Sequence, residues 1–593
     1  MKSSPKILSS KYWWLLLLFI LIGVNYLASV IHARFDLTKE KRYTLSKTTK
    51  SLVKNLDDVV RIDVFLKGEF PAKFRKLTHS VSEFLHLLKE SNTAKFSFRF
   101  ISPKEEVNGT NGITWADSLL SLGASPINLK AQVKTGESSS LAYPYAIMRY
   151  KGRDELITLF SVPPLFASGS ETPEKVINNA EAMLEYQFLK SLDKVTKEIR
   201  PAVGYAIGNG EPVDGRTYDL VEILKRDYDF FTFDLSKQPV IPASLDALIL
   251  VKPTQPFSED EILKIDQYVM HGGKLICFLD YLIAEQDSLY QKPETIAYDR
   301  NLNLTDLFFR YGLRINTDLL MDLQCDVIPF VVGGTADNPQ MAFLRWNYYP
   351  LLSPGNNRLT KNTGYVSSRF ANSIDTINVK GIRKTPLLIS SSNSRTISTP
   401  ALISLNENKN VPEDEKFKRS AIPAAMMLEG KFTSLYKNRI TRQQKDSLTA
   451  HGSSYSDSSP ENRMIVVADG DIVLNDFIPA NGPNAAPEPL PMGWNKYTYT
   501  ESLKQSEFGK LFIPAANREF LLNCVEYLVS NPAISETRNK DIVLRLLDSK
   551  KVKSGKTTWE LINIVLPILL VILCGWIYQE IRKKKYGDRK SVV

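Results

Sequence analysis

Two long apolar runs, one near each end of the chain, limit its possible folds more than any other feature. The first run covers residues 12–33, and the second covers residues 559–578, with Glu560 only at its margin. About 20 apolar residues in a helix, each rising about 1.5 Å, cross the hydrocarbon of a bilayer. We therefore predict transmembrane helices at residues 12–33 and 557–579. Two spans place both chain termini on the same side of the membrane.

Each apolar run has a competing interpretation. The first run has the position of a secretory signal peptide, but the apolar core of a signal peptide is normally shorter, and no clear Ala-x-Ala cleavage site follows. The second run would also suit a buried core helix. Its aromatic ends, Trp559 and Tyr578, and the basic tail that follows favour a membrane span instead.

The positions of the basic residues predict the orientation. Lys2, Lys6 and Lys11 precede the first run, and residues 580–593 form a basic tail. Because cytoplasmic flanks carry an excess of lysine and arginine, we predict cytoplasmic segments at residues 1–11 and 580–593 of an inner-membrane protein. The body between the spans is then periplasmic, although basic residues also border it on that side.

Composition narrows the classes of function. The chain has 593 residues, of which 43% are hydrophobic and 24% charged, which is typical of a folded protein rather than a disordered or polytopic one. The formal net charge of +10 is compatible with nucleic acid binding. Much of the positive charge, however, lies next to the two apolar runs, where it faces anionic lipid headgroups. We therefore predict contact with a membrane and no nucleic acid partner.

The periplasmic body divides into two predicted α/β domains. Residues 34–198 form the N-terminal domain, and residues 199–535 form a second domain with inserted loops, followed by a linker at residues 536–556. The boundary follows a helical pattern that ends near Ile199, before Pro201.

The N-terminal domain shows a β-α-β pattern. Ser46 is a plausible helix N-cap, and residues 59–66 alternate apolar and polar side chains as a half-buried strand does. A helix over residues 71–90 and a strand over residues 95–101 follow. Residues 103–140 are rich in Gly, Ser and Asn and are predicted to form loops.

The second domain begins with the clearest α/β pattern. Ala202–Ile207, Ala247–Val251 and Lys274–Leu279 are short apolar runs that indicate buried strands. Helical segments separate them, and Ser258 begins one of these with Glu261 in the capping-box position. Strands that alternate with helices predict a doubly wound parallel sheet.

Such a sheet predicts where a ligand or partner would bind, because ligands lie beyond the carboxyl ends of its strands. These ends carry Gly208–Glu211, Lys252–Thr254 and Asp280–Tyr281. The candidate cleft residues among them are Gly208, Asn209, Gly210, Glu211 and Asp280. Further along, residues 325–400 are predicted to form several short strands, and the polar residues 441–460 an exposed loop.

One segment nearly matches a nucleotide-binding motif. Gly210–Thr217 has the spacing of the phosphate-binding GxxxxGK[ST] loop and follows a predicted strand. Arg216 replaces the lysine, and Pro212 lacks an N–H for phosphate. Glu211 and Asp214 place negative charge where phosphate would bind. We interpret the segment as an ordinary strand-to-helix loop.

The remaining chemistry-bearing residues do not form a recognisable catalytic motif. The four cysteines and five histidines lack the spacing of a zinc site, and no GxSxG nucleophile motif occurs. Asp469 and Asp471 follow the predicted strand Arg463–Ala468, but the sequence shows no third metal ligand. We therefore predict no catalytic residues, no metal, no cofactor and no enzymatic activity.

Several blocks together resemble the family of auxiliary subunits of the gliding-motility ABC transporter, called GldG. The blocks that carry the resemblance are Arg34–Lys47, Asp63–Leu77, Gly204–Glu211, Phe257–Asp280, Asn517–Leu528 and Arg538–Val552. The resemblance implies a membrane-anchored protein whose large extracytoplasmic part includes an auxiliary domain of ABC-type transport systems. It also implies two partners, a polytopic ABC permease subunit and a cytoplasmic ABC ATPase.

We therefore expect a non-catalytic, membrane-anchored accessory subunit of an ABC transporter required for gliding motility. It would dock on the permease, possess no nucleotide site of its own, and form a homo- or hetero-oligomer. Two alternatives stay open: a membrane-tethered envelope enzyme and a ligand-binding module. Both would use the strand-end cleft near Gly208–Glu211, and the enzyme would use Asn209, Glu211 and Asp280.

Overall fold

The computed structural model describes most of the chain. The described residues are 44–107, 112–124, 126–133, 136–160, 173–285, 292–335, 338–360, 363–405, 414–478, 487–499, 515–530 and 549–586, with isolated positions among 18–26, at 289 and among 533–537. The chain splits into two compact units, Met1–Asp541 and Ile542–Val593, and each is described by itself.

The first unit opens with a mixed sheet. The strands of this region are β1 (Val60–Val64), β2 (Phe96–Phe100), β3 (Ile127–Val133), β4 (Gly136–Ala142), β5 (Tyr145–Tyr150) and β6 (Arg153–Thr158). Strands β2, β1, β5 and β6 form one sheet in that order, with β1 parallel to β2 and antiparallel to β5. Strands β3 and β4 form a separate hairpin. The parallel β1–β2 pair confirms the predicted β-α-β unit.

Helices cover both faces of this sheet. They are α1 (Lys47–Lys54), α2 (Ala72–Ser91), α3 (Trp115–Ser121) and α4 (Pro173–Thr196). The Ser46 side chain accepts the N–H of Thr49, so the predicted N-cap is confirmed. Met148 faces the core formed with α1, α2 and α4, whereas its neighbour Ile147 faces the core formed with α3, as the alternation of a strand requires.

The prediction of loops over residues 103–140 is wrong, because helix α3 and the hairpin β3–β4 lie there. The side chains of Thr114 and Asp117 form a reciprocal capping box at the start of α3. This local signal is present in the sequence, but the high Gly and Ser content of the surrounding residues obscured it.

The second region of the first unit contains a larger sheet and several small ones. Its first strands are β7 (Ala202–Ile207), β8 (Asp229–Asp234), β9 (Ala247–Val251), β10 (Lys274–Phe278), β11 (Leu282–Ile283), β12 (Glu294–Asp299), β13 (Leu313–Ile315), β14 (Asp318–Asp322), β15 (Cys325–Thr335) and β16 (Asn338–Pro354). Its later strands are β17 (Val366–Ser367), β18 (Ile374–Thr376), β19 (Ile382–Ile389), β20 (Ser394–Ser398), β21 (Ala401–Ser404), β22 (Pro423–Thr433), β23 (Ser458–Val467), β24 (Phe477–Ile478) and β25 (Glu488–Pro489). The helices are α5 (Tyr218–Asp227), α6 (Glu259–Met270), α7 (Thr305–Tyr311), α8 (Arg442–Ala450) and α9 (Asn517–Val529).

Half of the large sheet has the predicted doubly wound form. Strands run in the order β8-β7-β9-β10-β23, and each neighbouring pair is parallel. Helices α6 and α7 pack on one face with Leu250 and Cys277, and helices α5 and α9 pack on the other with Ile249 and Ile276. The order of strands reverses between β7 and β9, and this is the switch point where such sheets bind ligands.

The other half corrects the prediction, because the sheet is mixed rather than parallel throughout. Strands β22, β19, β16 and β15 continue beyond β23, each antiparallel to its neighbour. The regular alternation of strand and helix that predicts parallel pairing stops after β10, and antiparallel neighbours do not need helical crossovers. The first region and this larger sheet together make a mixed α/β body.

Two further expectations are corrected in the second region. Residues 325–400 contain a hairpin with strands of 11 and 17 residues, β15 and β16, besides shorter strands. Residues 441–460 are not one exposed loop, since α8 begins at a capping box formed by Thr441 and Gln444. Strand β8 was not predicted at all.

The second unit contains helix α10 (Ser549–Tyr586). Residues Glu560–Glu580 within it are apolar and long enough to cross a membrane, and the apolar side chains described there are exposed to solvent. This helix confirms one apolar segment suited to a membrane. The first predicted span lies mostly outside the described residues, so the two-pass topology and its orientation stay predictions.

Candidate functional site at the carboxyl edge of the large sheet

The carboxyl ends of the parallel strands carry several buried charged side chains. Strand β9 ends before Lys252, β10 before Asp280, and β23 before Asp469. All three side chains are at least nine-tenths buried. Parallel strands bring their carboxyl ends to one edge of the sheet, so residues far apart in the sequence meet there. We call this edge the carboxyl edge.

The side chain of Lys252 lies at the centre of a carboxylate cluster. Its Nζ is 2.6 Å from Asp471 and 3.1 Å from Asp280. Glu285 approaches the same Nζ to 3.1 Å and also accepts a hydrogen bond from Arg300 at 3.0 Å. Burial alone would lower the pKa of Lys252, but the attraction of these three carboxylates outweighs burial and raises it. The lysine therefore stays charged.

Backbone N–H groups complete the cluster. Gly470 donates to Asp280 Oδ1 at 2.5 Å, and Asp469 accepts N–H bonds from Arg369 at 2.6 Å and Asp471 at 2.7 Å. Burial, and then repulsion by Asp280 and Asp471, raises the pKa of Asp469 well above its usual range. Burial and the neighbouring carboxylates therefore favour the protonated form of Asp469.

The cluster has the dimensions of a cation site. One carboxylate oxygen from each of Asp280, Asp469 and Asp471 lies within 4.8 Å of the others. Asp280 supplies the third carboxylate that the sequence did not reveal next to Asp469 and Asp471. The chain also supplies a cation, the ammonium of Lys252. A Cβ at Gly470 would lie 2.6 Å from Lys252 Cβ, so only glycine permits this close approach.

The turn Gly208–Glu211 forms a second network at the switch point. Gly208 and Gly210 have φ values of 125° and 78°, which glycine adopts without strain. The carbonyl of Asn209 accepts N–H bonds from Thr254 and Gln255, both at 2.9 Å. The loop that follows β9 therefore closes against the turn and covers the place where a doubly wound sheet usually binds its ligand.

Two buried oxygen atoms of this turn have no hydrogen-bond partner in the described part of the chain. They are Oδ1 of Asn209 and Oε1 of Glu211. The other atoms are bonded: Asn209 N donates to Glu211 Oε2 at 2.8 Å, and Asn209 Nδ2 donates to Glu261 at 3.1 Å. Burial raises the pKa of Glu211 to about 7, and Glu261 and Asp234 add repulsion. A proton on Glu211 would make its Oε1 a hydrogen-bond donor.

In the segment that resembles a phosphate-binding loop, polar groups bond to other groups of the chain. Arg216 Nε donates to Asp214 at 3.0 Å, so the cation in the place of the motif's lysine is already paired. The Tyr205 hydroxyl donates to the carbonyl of Pro212 at 2.6 Å. The segment is a short connection that leads through residues Gly215–Thr217 into α5.

The structure thus divides the candidate cleft residues between two networks. Gly208, Asn209, Gly210 and Glu211 belong to the turn network with Glu261, and Asp280 belongs to the cluster around Lys252. Sequence reasoning placed Lys252 at a strand end without giving it a role, and it missed Glu285. A usable signal was the position of Lys252 directly after a strand in which every residue is apolar, but its charge partners lie elsewhere in the sequence.

These features define a mixed α/β protein whose carboxyl edge is filled by its own charges, with an apolar C-terminal helix. Residues 200–524 match a family model described as an ABC-type uncharacterized transport system. Residues 39–149 match a domain of unknown function. Since the first match covers more than half of the 593 residues, the chain belongs to the family of ABC-type uncharacterized transport systems.

Individual relatives add little to this assignment. An uncharacterized protein of Borreliella burgdorferi is 23% identical over 453 residues, which are 73% of this chain and 81% of the relative. The solved "mmIFT52 N-terminal domain" has a TM-score of 0.28 and 10% identity, over 56% of this chain and 98% of that one. The exo-β-1,4-mannosidase Op5Man5 from Opitutaceae bacterium strain TAV5 has a TM-score of 0.18 and 10% identity, over 69% and 48%.

Proposed function

We propose that this protein is a non-catalytic, membrane-anchored accessory subunit of an ABC transporter. Its family supports a role in an ABC-type transport system. The observation that carries the non-catalytic part is the position of Lys252, whose ammonium lies among Asp280, Asp471 and Glu285. The chain's own cation thereby fills the edge at which this fold would otherwise bind a substrate.

The energy for transport would come from a separate ATPase subunit. The nearest approach to a phosphate-binding loop in this chain has Arg216 paired with Asp214 at 2.9 Å and the buried carboxyl of Glu211 beside it. A cytoplasmic ATPase and a polytopic permease are the partners that such an accessory subunit would need.

Membrane attachment is supported by α10. Residues Glu560–Glu580 are long and apolar enough to span a bilayer, and Pro567 lies within the helix, as membrane helices tolerate. A second span at residues 12–33 would hold the other end of the body at the same membrane face. The basic tail at residues 580–593 favours a cytoplasmic C-terminus and a periplasmic body.

The hairpin β15–β16 is the surface best suited to dock on the permease. Val331 and Val332 lie at an irregularity in the register of β15 and β16, and each is 50% exposed. Met341, the cross-strand partner of Val331, is 51% exposed. This end of the hairpin therefore presents several apolar side chains to solvent, and β15 is also an edge strand of the sheet. Exposed apolar clusters of this kind are typical of partner contacts.

The specific process, gliding motility, rests on the sequence blocks that resemble GldG. The most distinctive block is Phe257–Asp280, which builds α6, β10 and the cluster residue Asp280. We therefore place the protein in the transporter of the gliding apparatus.

The experiment that tests this function is affinity purification of the tagged full-length chain from its native cells in mild detergent. We expect a polytopic permease and an ABC ATPase to co-purify. The double variant V331K/M341K should lose them, whereas L122K, a lysine at an equally exposed leucine of the N-terminal region (55% exposed), should retain them. Recovery of the folded wild-type chain without either partner would exclude the accessory role.

One observation favours a second candidate, a ligand-binding or catalytic site at the turn Gly208–Glu211. Its buried Asn209 Oδ1 and Glu211 Oε1 are unpartnered in the described structure, and buried polar atoms normally have partners. Mutation separates the two functions. If D280N and E211Q assemble with the permease but abolish motility, the site acts chemically; if both support motility, the non-catalytic function stands.

A further inference from the structure

A large cavity lies at the opposite edge of the large sheet, where β9 and β10 begin. Its volume is about 660 Å³, within the range of about 300–1,000 Å³ that is usual for small-molecule sites. The titratable side chains that line it are Asp246, Lys264, Tyr268, His271, Lys274, His451 and Arg463. We call it the amino-edge cavity. It contains none of the residues of the carboxyl edge.

Two of its three cations are not paired with a carboxylate. Lys264 is paired, since its Nζ lies 2.6 Å from Asp260. Lys274 instead donates to two neutral acceptors, the carbonyl of Gly272 at 2.6 Å and Oδ1 of Asn462 at 2.9 Å. Within the described residues, no carboxylate lies within salt-bridge distance of Lys274.

Arg463 also has only neutral partners in the described structure. Its guanidinium donates to the carbonyl of Tyr527 at 2.8 Å and lies over the Tyr527 ring at 4.9 Å. Glu429 is directly opposite in the strand register, but Arg383 at 2.9 Å and the Tyr527 hydroxyl at 2.7 Å already occupy its carboxylate.

The two unpaired cations affect each other. Burial, and then repulsion by Arg463, lowers the pKa of Lys274, while Asp246 opposes the shift. Asp246 is the one acidic residue among the described residues of the cavity wall, and its Oδ2 also accepts the N–H of Ala202 at 2.8 Å. The cavity therefore keeps a positive balance that an anion would neutralise.

Hydrogen bonds to backbone carbonyls fix the tautomer of both histidines in the cavity wall. Nδ1 of His271 lies 2.7 Å from the carbonyl of Gln267, and Nδ1 of His451 lies 2.8 Å from the carbonyl of Ser447. A carbonyl only accepts, so Nδ1 carries the proton in each neutral ring and Nε2 is the second polar atom. In this tautomer Nε2 is an acceptor, so it can receive a hydrogen bond from a hydroxyl of a ligand but cannot donate one to a phosphate oxygen.

We propose that the amino-edge cavity binds a small phosphate monoester, with its phosphate group between Lys274 and Arg463. An arginine and a lysine together suit phosphate because one supplies a planar fork of donors and the other a compact charge. The phosphate belongs either to a soluble metabolite or to a lipid headgroup. This site is independent of the permease contact and of the carboxyl edge.

Isothermal titration of glycerol 3-phosphate into the full-length chain in non-ionic detergent tests the proposal. We expect saturable binding that R463Q weakens by about tenfold, because a charge-assisted hydrogen bond is lost. D246N should tighten binding severalfold, since it removes the opposing charge and keeps an acceptor for the N–H of Ala202. K237Q removes an 80% exposed lysine outside the cavity and should leave affinity unchanged.

The opposite signs of R463Q and D246N protect the test from misfolding, which would weaken binding in both. Absence of wild-type binding, or equal affinity in R463Q, D246N and wild type, would overturn the proposal. Mixed micelles that contain phosphatidic acid identify the source of the phosphate. Displacement of glycerol 3-phosphate by these micelles supports a lipid ligand, and unchanged titration supports a soluble one.

Discussion

The two edges of the large sheet differ in how they treat buried charge. At the carboxyl edge, Lys252 is surrounded by carboxylates, and backbone N–H groups bond the aspartates around it. At the amino edge, Lys274 and Arg463 face a cavity of about 660 Å³, and their direct hydrogen-bond partners among the described residues are neutral. A buried cation that is paired with carboxylates of its own chain stabilises the fold. A cation without such a partner beside a cavity can instead bind an anionic ligand.

This contrast shows why strand topology alone does not locate a site. The strand order places the usual binding position beside Gly208–Glu211, but here the Thr254 and Gln255 N–H groups bond the turn and close that position. The same strands begin at an open cavity. We therefore expect substitutions at the carboxyl edge to cost more stability than substitutions at the amino edge.

The largest effect should come from K252M. Removal of the ammonium leaves Asp280, Asp471 and Glu285 without their shared cation, and breaking a buried ion pair from one side costs about 3–5 kcal/mol. Denaturant unfolding of the full-length chain in detergent measures the loss. K237M removes a lysine that is 80% exposed and paired with Asp234, and it should cost less than about 1 kcal/mol. Equal losses in the two variants would contradict a structural role for Lys252.

Next in size is a pH effect at Glu211. Its pKa in the folded chain is about 7, against an ordinary value of 4.5, so the folded chain holds a proton that the unfolded chain has released. Stability therefore falls as pH rises from about 4.5 to about 7, by about 3 kcal/mol. Glu261 and Asp234 face this carboxyl and strengthen the shift.

The side chain introduced by E211Q does not titrate. The variant should therefore lack this fall in the free energy of unfolding with rising pH. Unfolding free energies measured between about pH 4 and pH 8 would show the variant gaining on the wild type as pH rises. E222Q, at an exposed glutamate of α5, should keep the wild-type slope. An unchanged slope in E211Q would mean that the pKa of Glu211 is the same in the folded and the unfolded chain.

A smaller effect is expected for G210A. A Cβ at this position would lie 2.1 Å from Thr254 Oγ1, so the loop that covers the turn would have to move, at a cost of about 2 kcal/mol. G112A is the matched control, because Gly112 also has a positive φ, 84° against 78°, but has open space around its Cβ position. Thermal unfolding compares them. If both melt at the same temperature, the loop does not pack against the turn.

The smallest effect should be that of D246N at the amino edge. Asn keeps an acceptor for the N–H of Ala202, and Asp246 is exposed, so stability should change by less than about 0.5 kcal/mol. D280N at the carboxyl edge should cost more than about 1 kcal/mol because it breaks a buried ion pair. Similar unfolding free energies for the two variants would remove the distinction between the edges.

Local signals in the sequence predicted much of the fold. The Ser258–Glu261 capping box and the strands Ala202–Ile207 and Ala247–Val251 have the expected bounds, because each depends on neighbouring residues. Strand β8 was missed, since it lies at the sheet edge and buries little of its side-chain surface. The antiparallel half was missed because pairing between distant strands leaves no local pattern.

The candidate site was predictable only in part for the same reason. Asp280 and the turn Gly208–Glu211 follow apolar strands, so topology placed them at one edge. Lys252 and Glu285 acquire their roles from partners brought together by folding, and Asp471 is far from both in the sequence. The cations of the amino-edge cavity carry no motif at all, because the absence of a carboxylate partner is a property of the folded chain.

The pairing of β10 with β23 has a consequence for how the chain folds. Gly470, just after β23, donates a hydrogen bond to Asp280, 190 residues earlier. Strands β10 and β23 can therefore pair only after the long segment between them has been synthesised and folded. Contacts of such high sequence separation form slowly. Until β23 arrives, the apolar strand β10 has an open edge, and such an edge invites aggregation. We therefore expect maturation of this domain in the cell to depend on chaperones that shield β10.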